Sequence, residues 1–248
     1  MSTAGSHPVV DWSPYRAVLF DLDGVLTDTA SLHSAAWKET FDGFLADRHG
    51  ESYRPFDSGA DYLEYVDGKP RYQGVDSFLR SRDIYLPWGD PEDPPGDSTV
   101  CALGNLKNQM VGRRLRQQGV VPYPGSLRFL EMVQAQGMTV GLVTSSANAG
   151  AVLEAAGLGS HFPVRVDGQV AAALGLAGKP APDPFLEAAR RLGVSPAQAV
   201  VVEDAASGVE AGRAGGFGLV IGVARHGNRV DLLAAGADLV VGDLAELV

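Results

Sequence analysis

A handful of short apolar, β-branched runs are spaced along this chain in a way that few folds accommodate. Val18 to Phe20, Thr139 to Val143, Ala199 to Val202 and Leu219 to Val223 each read as a buried strand, and Leu239 to Val241 as a weaker one. Between the later runs lie Ala-rich helical patterns at Ala149 to Ala156, Pro184 to Leu192 and Gly208 to Ala214. Gly157, Gly193 and Gly215 stand where a helix-ending glycine is expected. Alternation of this kind predicts a parallel sheet with right-handed crossovers. The first two runs, however, are more than a hundred residues apart, far too long for one crossover. The expected architecture is therefore α/β: a doubly wound parallel-sheet core over 14–31 and 123–248, with a mainly α-helical cap inserted over 32–122.

Inside the insertion, Ser31 to Leu45 carries an apolar helical face and Asn105 to Gln118 reads as a basic helix. The stretch between, Gly50 to Gly104, is rich in Gly, Pro, Asp and Tyr, and Pro87 to Asp97 reads as an irregular loop. Tyr123-Pro124-Gly125 marks the return to the core and a natural hinge.

Composition narrows the partners. The net charge of −10 argues against nucleic acid or an anionic membrane. A single cysteine, Cys101, rules out an internal disulfide framework and fits a reducing compartment. No apolar run has the length of a membrane span, and Met1 to Ser13 has neither a basic nor an apolar signal region. A cytoplasmic protein, monomeric and acting on a small molecule, is expected.

Chemistry gathers at the strand ends. Phe20-Asp21-Leu22-Asp23-Gly24 closes the first run with two carboxylates spaced i, i+2, which point the same way on extended backbone. Gly24 then permits a sharp turn. Such carboxylates suit a hard cation such as Mg²⁺, and one of them can attack phosphorus. Thr144-Ser145-Ser146-Ala147-Asn148 follows the second run, where a hydroxyl can either cap a helix or hold a phosphoryl oxygen. Gly178-Lys179-Pro180-Ala181-Pro182-Asp183-Pro184 presents a lysine on a restricted backbone, able to neutralise a transferring phosphoryl group. Val200-Val201-Val202-Glu203-Asp204 ends a buried strand in two acids, costly unless paired or metal-bound.

These four segments, in this order, resemble the motifs of the haloacid dehalogenase superfamily, whose core is Rossmann-like. The resemblance implies Asp21 as nucleophile, Asp23 as general acid/base, Thr144 and Lys179 as phosphoryl ligands. It also implies a Mg²⁺ site made by Asp21, the Asp23 backbone carbonyl, Asp204 and Glu203, the last directly or through water.

The stretch from Asp21 to Trp37 further resembles the β-phosphoglucomutase branch. That likeness implies a substrate-coupling role for His33 on the first cap helix and a distal-phosphate grip for Lys107 and Asn108. It also implies sugar contacts from Ser145, Ser146 and Asn148, with Ala147 where a lysine can occur. Gly74-Val75 resembles a substrate loop, but Asp76 follows where an arginine is expected, leaving Arg71, Arg80 or Arg82 as replacements. The cap also carries extra residues at about Glu51 to Arg71 and Leu86 to Val100. The implied reaction is conversion of β-glucose 1-phosphate to glucose 6-phosphate through an aspartyl phosphate and a sugar bisphosphate. The alternative is a sugar-phosphate or small organophosphate phosphatase. A silent phosphate-binding module would not need Asp21, Asp23, Lys179 and Asp204 together, and dehalogenation would not need Asp23 as acid.

Overall fold

A computed structural model describes residues 9–225 and 227–248. The expected absence of a signal segment falls partly on 1–8, outside the described residues. Six parallel strands form one sheet: β1 (Ala17–Phe20), β2 (Thr139–Val143), β3 (Val164–Val166), β4 (Ala199–Glu203), β5 (Leu219–Val223) and β6 (Leu239–Val241). Their order is β3-β2-β1-β4-β5-β6. The chain winds outward from β1 in one direction, then restarts beside β1 at β4 and winds outward in the other. The crevice at this reversal, at the carboxyl ends of β1 and β4, is where open α/β sheets bind ligands. Strand β3 was not anticipated, because Val-Arg-Val is too short and too polar at its centre to stand out from sequence.

Helices cover both faces: α4 (Pro124–Ala135), α5 (Ala149–Ala155), α6 (Gly168–Leu174), α7 (Asp183–Leu192), α8 (Ala206–Ala214) and α9 (Arg229–Ala234). One buried cluster packs Phe20, Phe129 and Phe162 on one side of the sheet. The other packs Leu19, Val201, Phe185 and Val209 on the opposite side. Gly157 and Gly193 take the left-handed backbone expected after a helix, with φ of 69° and 72°. Gly215 closes α8 in right-handed geometry instead, and the left-handed turn falls on Gly216.

The segment between β1 and β2 is helical: α1 (Ala30–His49), α2 (Arg71–Arg80) and α3 (Val100–Gln118). It has its own core, in which Phe41 stacks on Trp37 and packs against Phe56 and Phe78. Helix α3 starts five residues earlier than the basic pattern indicates, capped where Thr99 Oγ1 accepts from Ala102 N at 3.0 Å. Helix α2 and a wide turn at Tyr62–Val66 lie in the Gly-, Pro-, Asp- and Tyr-rich stretch, to which no element was assigned from sequence. Short helices gain most of their stability from packing, here of Val75, Phe78 and Leu79 into the aromatic cluster. Pro87 to Asp97 is without regular structure, as expected. No helix among the described residues is long and apolar enough to cross a membrane.

Candidate active site

Asp21 leaves the end of β1 with its backbone amide still bonded to Val202 O at 2.9 Å, so the two central strands set its position. Gly24 then turns at φ 83°, and a Cβ there would overlap the Asp204 carboxylate. Glycine is therefore required twice at this point, once for backbone freedom and once for space. The same holds for room at Gly208, where a Cβ would overlap the Glu203 carboxylate at the start of α8.

Lys179 is 1% exposed and joins the motifs. Its Nζ donates to Asp21 Oδ1 at 2.5 Å, to Val143 O at 3.2 Å and to Glu203 Oε1. Glu203 Oε2 accepts from the Asp204 and Ala205 amides at 3.1 and 3.2 Å, and Asn228 Nδ2 donates to Asp204 O at 2.8 Å. Asp21, Glu203 and Asp204 bring oxygens within 4.8 Å of one another. Burial pushes Asp21 up to about 6 and Glu203 to about 7, against the pull of Lys179, and drives Asp204 well above its ordinary range. Burial also works against the Lys179 charge, but Asp21 and Glu203 outweigh it and hold the ammonium above its usual range. One ammonium against three buried carboxylates leaves excess negative charge. An all-oxygen donor set of this kind fits a hard divalent cation. The Asp23 side chain lies outside this group. It accepts from Thr29 Oγ1 and faces α1, so it is free of the cation cluster and turned toward the cap.

Thr144 sits at the end of β2, its amide bonded to Val166 O at 3.1 Å and its Oγ1 accepting from Ser146 N at 3.1 Å. Ser146 Oγ accepts from Asn148 N at 3.2 Å, a local turn ahead of α5. These hydroxyls thus close local turns as well as face the cavity, and neither caps α5, whose N-cap position is Asn148.

The core loops and the helical insertion enclose one cavity of about 490 Å³. Asp21, Asp23, Thr144, Ser145, Ser146, Asn148, Lys179, Glu203 and Asp204 line it from the sheet, and His33, Lys107 and Asn108 from the cap. Lys107 Nζ lies 2.9 Å from His33 Nδ1 and 4.5 Å from the Trp37 ring centre. Burial pulls Lys107 down to about 7, partly offset by Asp23. His33 is held well below its usual value by burial and by Lys107, hence neutral. Its Nε2 is 3.7 Å from Asp23 Oδ1. Asn148 Nδ2 donates to Asn108 Oδ1 at 2.7 Å, and Ser145 Oγ to Gly68 O at 2.8 Å, tying cap to core.

Gly74 and Val75 require correction. They lie inside α2, not in a loop, and do not line the cavity. Gly74 packs against Val66 and the Trp37 ring, and Val75 is fully buried. Of the three replacement arginines, Arg71 lines the cavity, Arg80 pairs with Asp76 at the surface and Arg82 pairs with Asp61. Trp37 forms cavity wall as well as cap core, and Tyr62, Asp67, Pro91 and Glu92 join it without having been singled out. Asp67-Gly68 carries a turn signal that could have been noticed, with Gly68 at φ 67°. Pro91 and Glu92 lie in the segment read as a loop, but nothing in the sequence places that loop at the cavity; it is drawn in because Asn105 Nδ2 donates to Pro91 O and Asp93 O at 2.9 and 2.8 Å.

Comparison with known proteins agrees with this geometry. A family model described as haloacid dehalogenase-like hydrolase matches residues 15–216. A β-phosphoglucomutase from Mycobacterium tuberculosis is 54% identical over 94% of this chain and 91% of its own length. A fructose-1-phosphate phosphatase of Escherichia coli is 32% identical over 83% of this chain and 95% of its own. A solved β-phosphoglucomutase from Clostridium difficile superposes with a TM-score of 0.74 at 26% identity, covering 94% of this chain and 93% of that one. The motifs, the strand order and these likenesses agree: the chain belongs to the haloacid dehalogenase-like hydrolase family, in its β-phosphoglucomutase-like branch.

Proposed function

We propose that this chain is a Mg²⁺-dependent phosphosugar mutase that converts β-glucose 1-phosphate to glucose 6-phosphate. One observation carries the reading. The cavity that holds Asp21 and Lys179 also holds a second cationic wall, Lys107 and Arg71, on the cap. A mutase must grip two phosphates on one sugar, whereas a phosphatase needs to grip one. The 54% identity to a β-phosphoglucomutase supports the same choice.

In this reading Asp21 attacks phosphorus in line and carries the phosphoryl group as an aspartyl phosphate. Lys179 and Thr144 stabilise charge on the phosphoryl oxygens. Asp21, Asp204, Glu203 and the Asp23 carbonyl would hold the cation, which supplies further neutralisation of that charge. Asp23 protonates the leaving sugar oxygen and later takes the proton of the incoming hydroxyl. Lys107, Asn108 and Arg71 hold the distal phosphate while Ser145, Ser146 and Asn148 contact the sugar from the core, and His33 links Lys107 to Asp23. The sugar bisphosphate turns over within the closed cavity and returns its other phosphate to Asp21. The protein acts in the cytoplasm as a monomer on a small phosphorylated sugar, with the core at 14–31 and 123–248 and the cap at 32–122 as its two domains.

The test supplies Mg²⁺, β-glucose 1-phosphate and a trace of glucose 1,6-bisphosphate, and follows glucose 6-phosphate and free phosphate in parallel. Rapid glucose 6-phosphate with little free phosphate supports the mutase. Free phosphate without isomerisation supports the second reading, a sugar-phosphate phosphatase, which the 32% identity to a fructose-1-phosphate phosphatase keeps in view.

A further inference from the structure

Arg225 follows β5 and is nearly enclosed, with 10% of its side chain exposed. Its Nε donates to Gly24 O at 3.3 Å and its Nη2 to Ser126 Oγ at 3.2 Å. Nη1 donates to Gly242 O at 3.4 Å and to an Asp243 carboxylate oxygen. Ser126 Oγ in turn donates to Val25 O at 2.6 Å. Gly125 makes room for this arrangement, since a Cβ there would overlap Asp243. The guanidinium carbon also lies 3.9 Å from the centre of the Tyr123 ring.

These acceptors are not an arbitrary set. Gly24 and Val25 are the two residues directly after Asp23, and their carbonyls need partners as the chain turns inward. Tyr123 belongs to the segment returning from the cap. That segment pairs with the outgoing one, with Asp28 N bonded to Val121 O and Tyr123 N to Leu26 O, both at 3.0 Å. Tyr123 OH also donates to Asp28 Oδ1 at 3.1 Å. One guanidinium therefore bonds the Asp23 turn and packs on the returning segment of the cap connection, which in turn holds the outgoing one. A planar fork reaches such divergent acceptors, whereas a lysine ammonium does not.

We infer that Arg225 is a positioning residue that holds the Asp23 turn in register with Asp21 by fixing it to the cap connection. Arg225 lies outside the cavity wall and touches no reacting atom. The inference rests on Asp23 being the acid/base. In the step concerned, a bond forms between an Asp21 oxygen and phosphorus as the phosphorus–sugar oxygen bond breaks. The electron pair of that bond stays on the sugar oxygen, which takes the Asp23 proton. A nitrophenyl phosphate donor needs no such proton, because its leaving group departs as a stabilised phenolate.

The experiment measures single-turnover transfer to Asp21, with Mg²⁺ present, from glucose 1,6-bisphosphate and from 4-nitrophenyl phosphate. R225Q, R225K and D23N are compared with the parent, with thermal melts alongside. The expected result is an Arg225→Gln loss of about tenfold or more with the sugar donor and within about twofold with the aryl donor, with a smaller loss of the same selectivity in Arg225→Lys. Where R225Q fails to fold, R225K alone decides. Equal slowing with both donors, or no slowing in a folded variant, overturns the positioning role provided D23N is itself selective for the sugar donor. If D23N slows both donors equally, the acid/base assignment of Asp23 falls, and this inference with it.

Discussion

Lys107 Nζ lies 2.9 Å from His33 Nδ1, and the other ring nitrogen of His33 lies 3.7 Å from Asp23 Oδ1. The neutral imidazole of His33 thereby stands between the cap lysine and the Asp23 carboxylate, hydrogen-bonded to the first and 3.7 Å from the second. Because burial lowers Lys107 from 10.5 to about 7, the ammonium is present below that pH and lost above it. If the ammonium grips the distal phosphate, kcat/KM for the mutase reaction falls as pH rises through about 7. Lys107→Ala removes that limb and lowers turnover about tenfold to a hundredfold, with little change in aryl phosphate hydrolysis. Equal losses on both substrates would remove Lys107 from the distal site. The linkage to stability has the opposite sign. Folding disfavours the Lys107 proton, so the cost is full below about 7 and vanishes above 10.5. Melting temperatures of Lys107→Met relative to the parent should therefore be more favourable at about pH 6 than at about pH 10.

Asp21 and Asp23 leave the same strand end in different surroundings, one bonded to Lys179 and the other to Thr29. Asp21→Asn is expected to lower every activity by about a thousandfold or more and to abolish acid-stable phosphoenzyme. Asp23→Asn should cost about a hundredfold or more with a sugar donor while Mg²⁺ binding, read by calorimetry, changes little. A large loss of Mg²⁺ affinity in Asp23→Asn would place its side chain in the cation site.

Lys179 is the shared cation of two buried carboxylates. Removing one partner of a buried ion pair leaves charge uncompensated, which costs roughly 3–5 kcal/mol. Lys179→Ala should lose stability on that scale by denaturant titration without Mg²⁺, and added Mg²⁺ should restore part of it. A stability loss that Mg²⁺ does not touch would separate the Lys179 site from the cation site.

Gly68 joins the cap to the core at φ 67°, where Ser145 Oγ donates to its carbonyl and a Cβ would overlap Ser207 Oγ. Gly68→Ala carries a left-handed backbone cost of about 1–2 kcal/mol and a clash on the docked face. The expected outcome is a raised KM and reduced kcat with the sugar phosphate, while global unfolding shifts by no more than that local cost. Unchanged kinetics would show that this docking contact does not bear on turnover.

The core of the site was legible because its chemistry is written at strand ends. Asp21, Thr144 and Glu203-Asp204 each follow an apolar run, and a parallel sheet brings all such ends to one edge. Lys179 was legible through its prolines. The cap was less so. Gly74-Val75 was read as a loop, yet packing against Trp37 and Val66 makes it part of a helix. A segment rich in Gly, Pro and Tyr has weak local preference, and its conformation follows the aromatic core it covers.

The sequence by itself determined the alternation of strands and helices, the long insertion after β1, and the residue types that can move a phosphoryl group. These depend on local pattern and on spacing along the chain, which the order of residues states directly. Tertiary structure alone decided that Arg71 and not Arg80 or Arg82 faces the cavity, that Pro91 and Glu92 form part of its wall, and that Arg225 reaches the Asp23 turn from two hundred residues away. Those relationships are set by how separate elements pack against one another, and no local propensity encodes the distance between them.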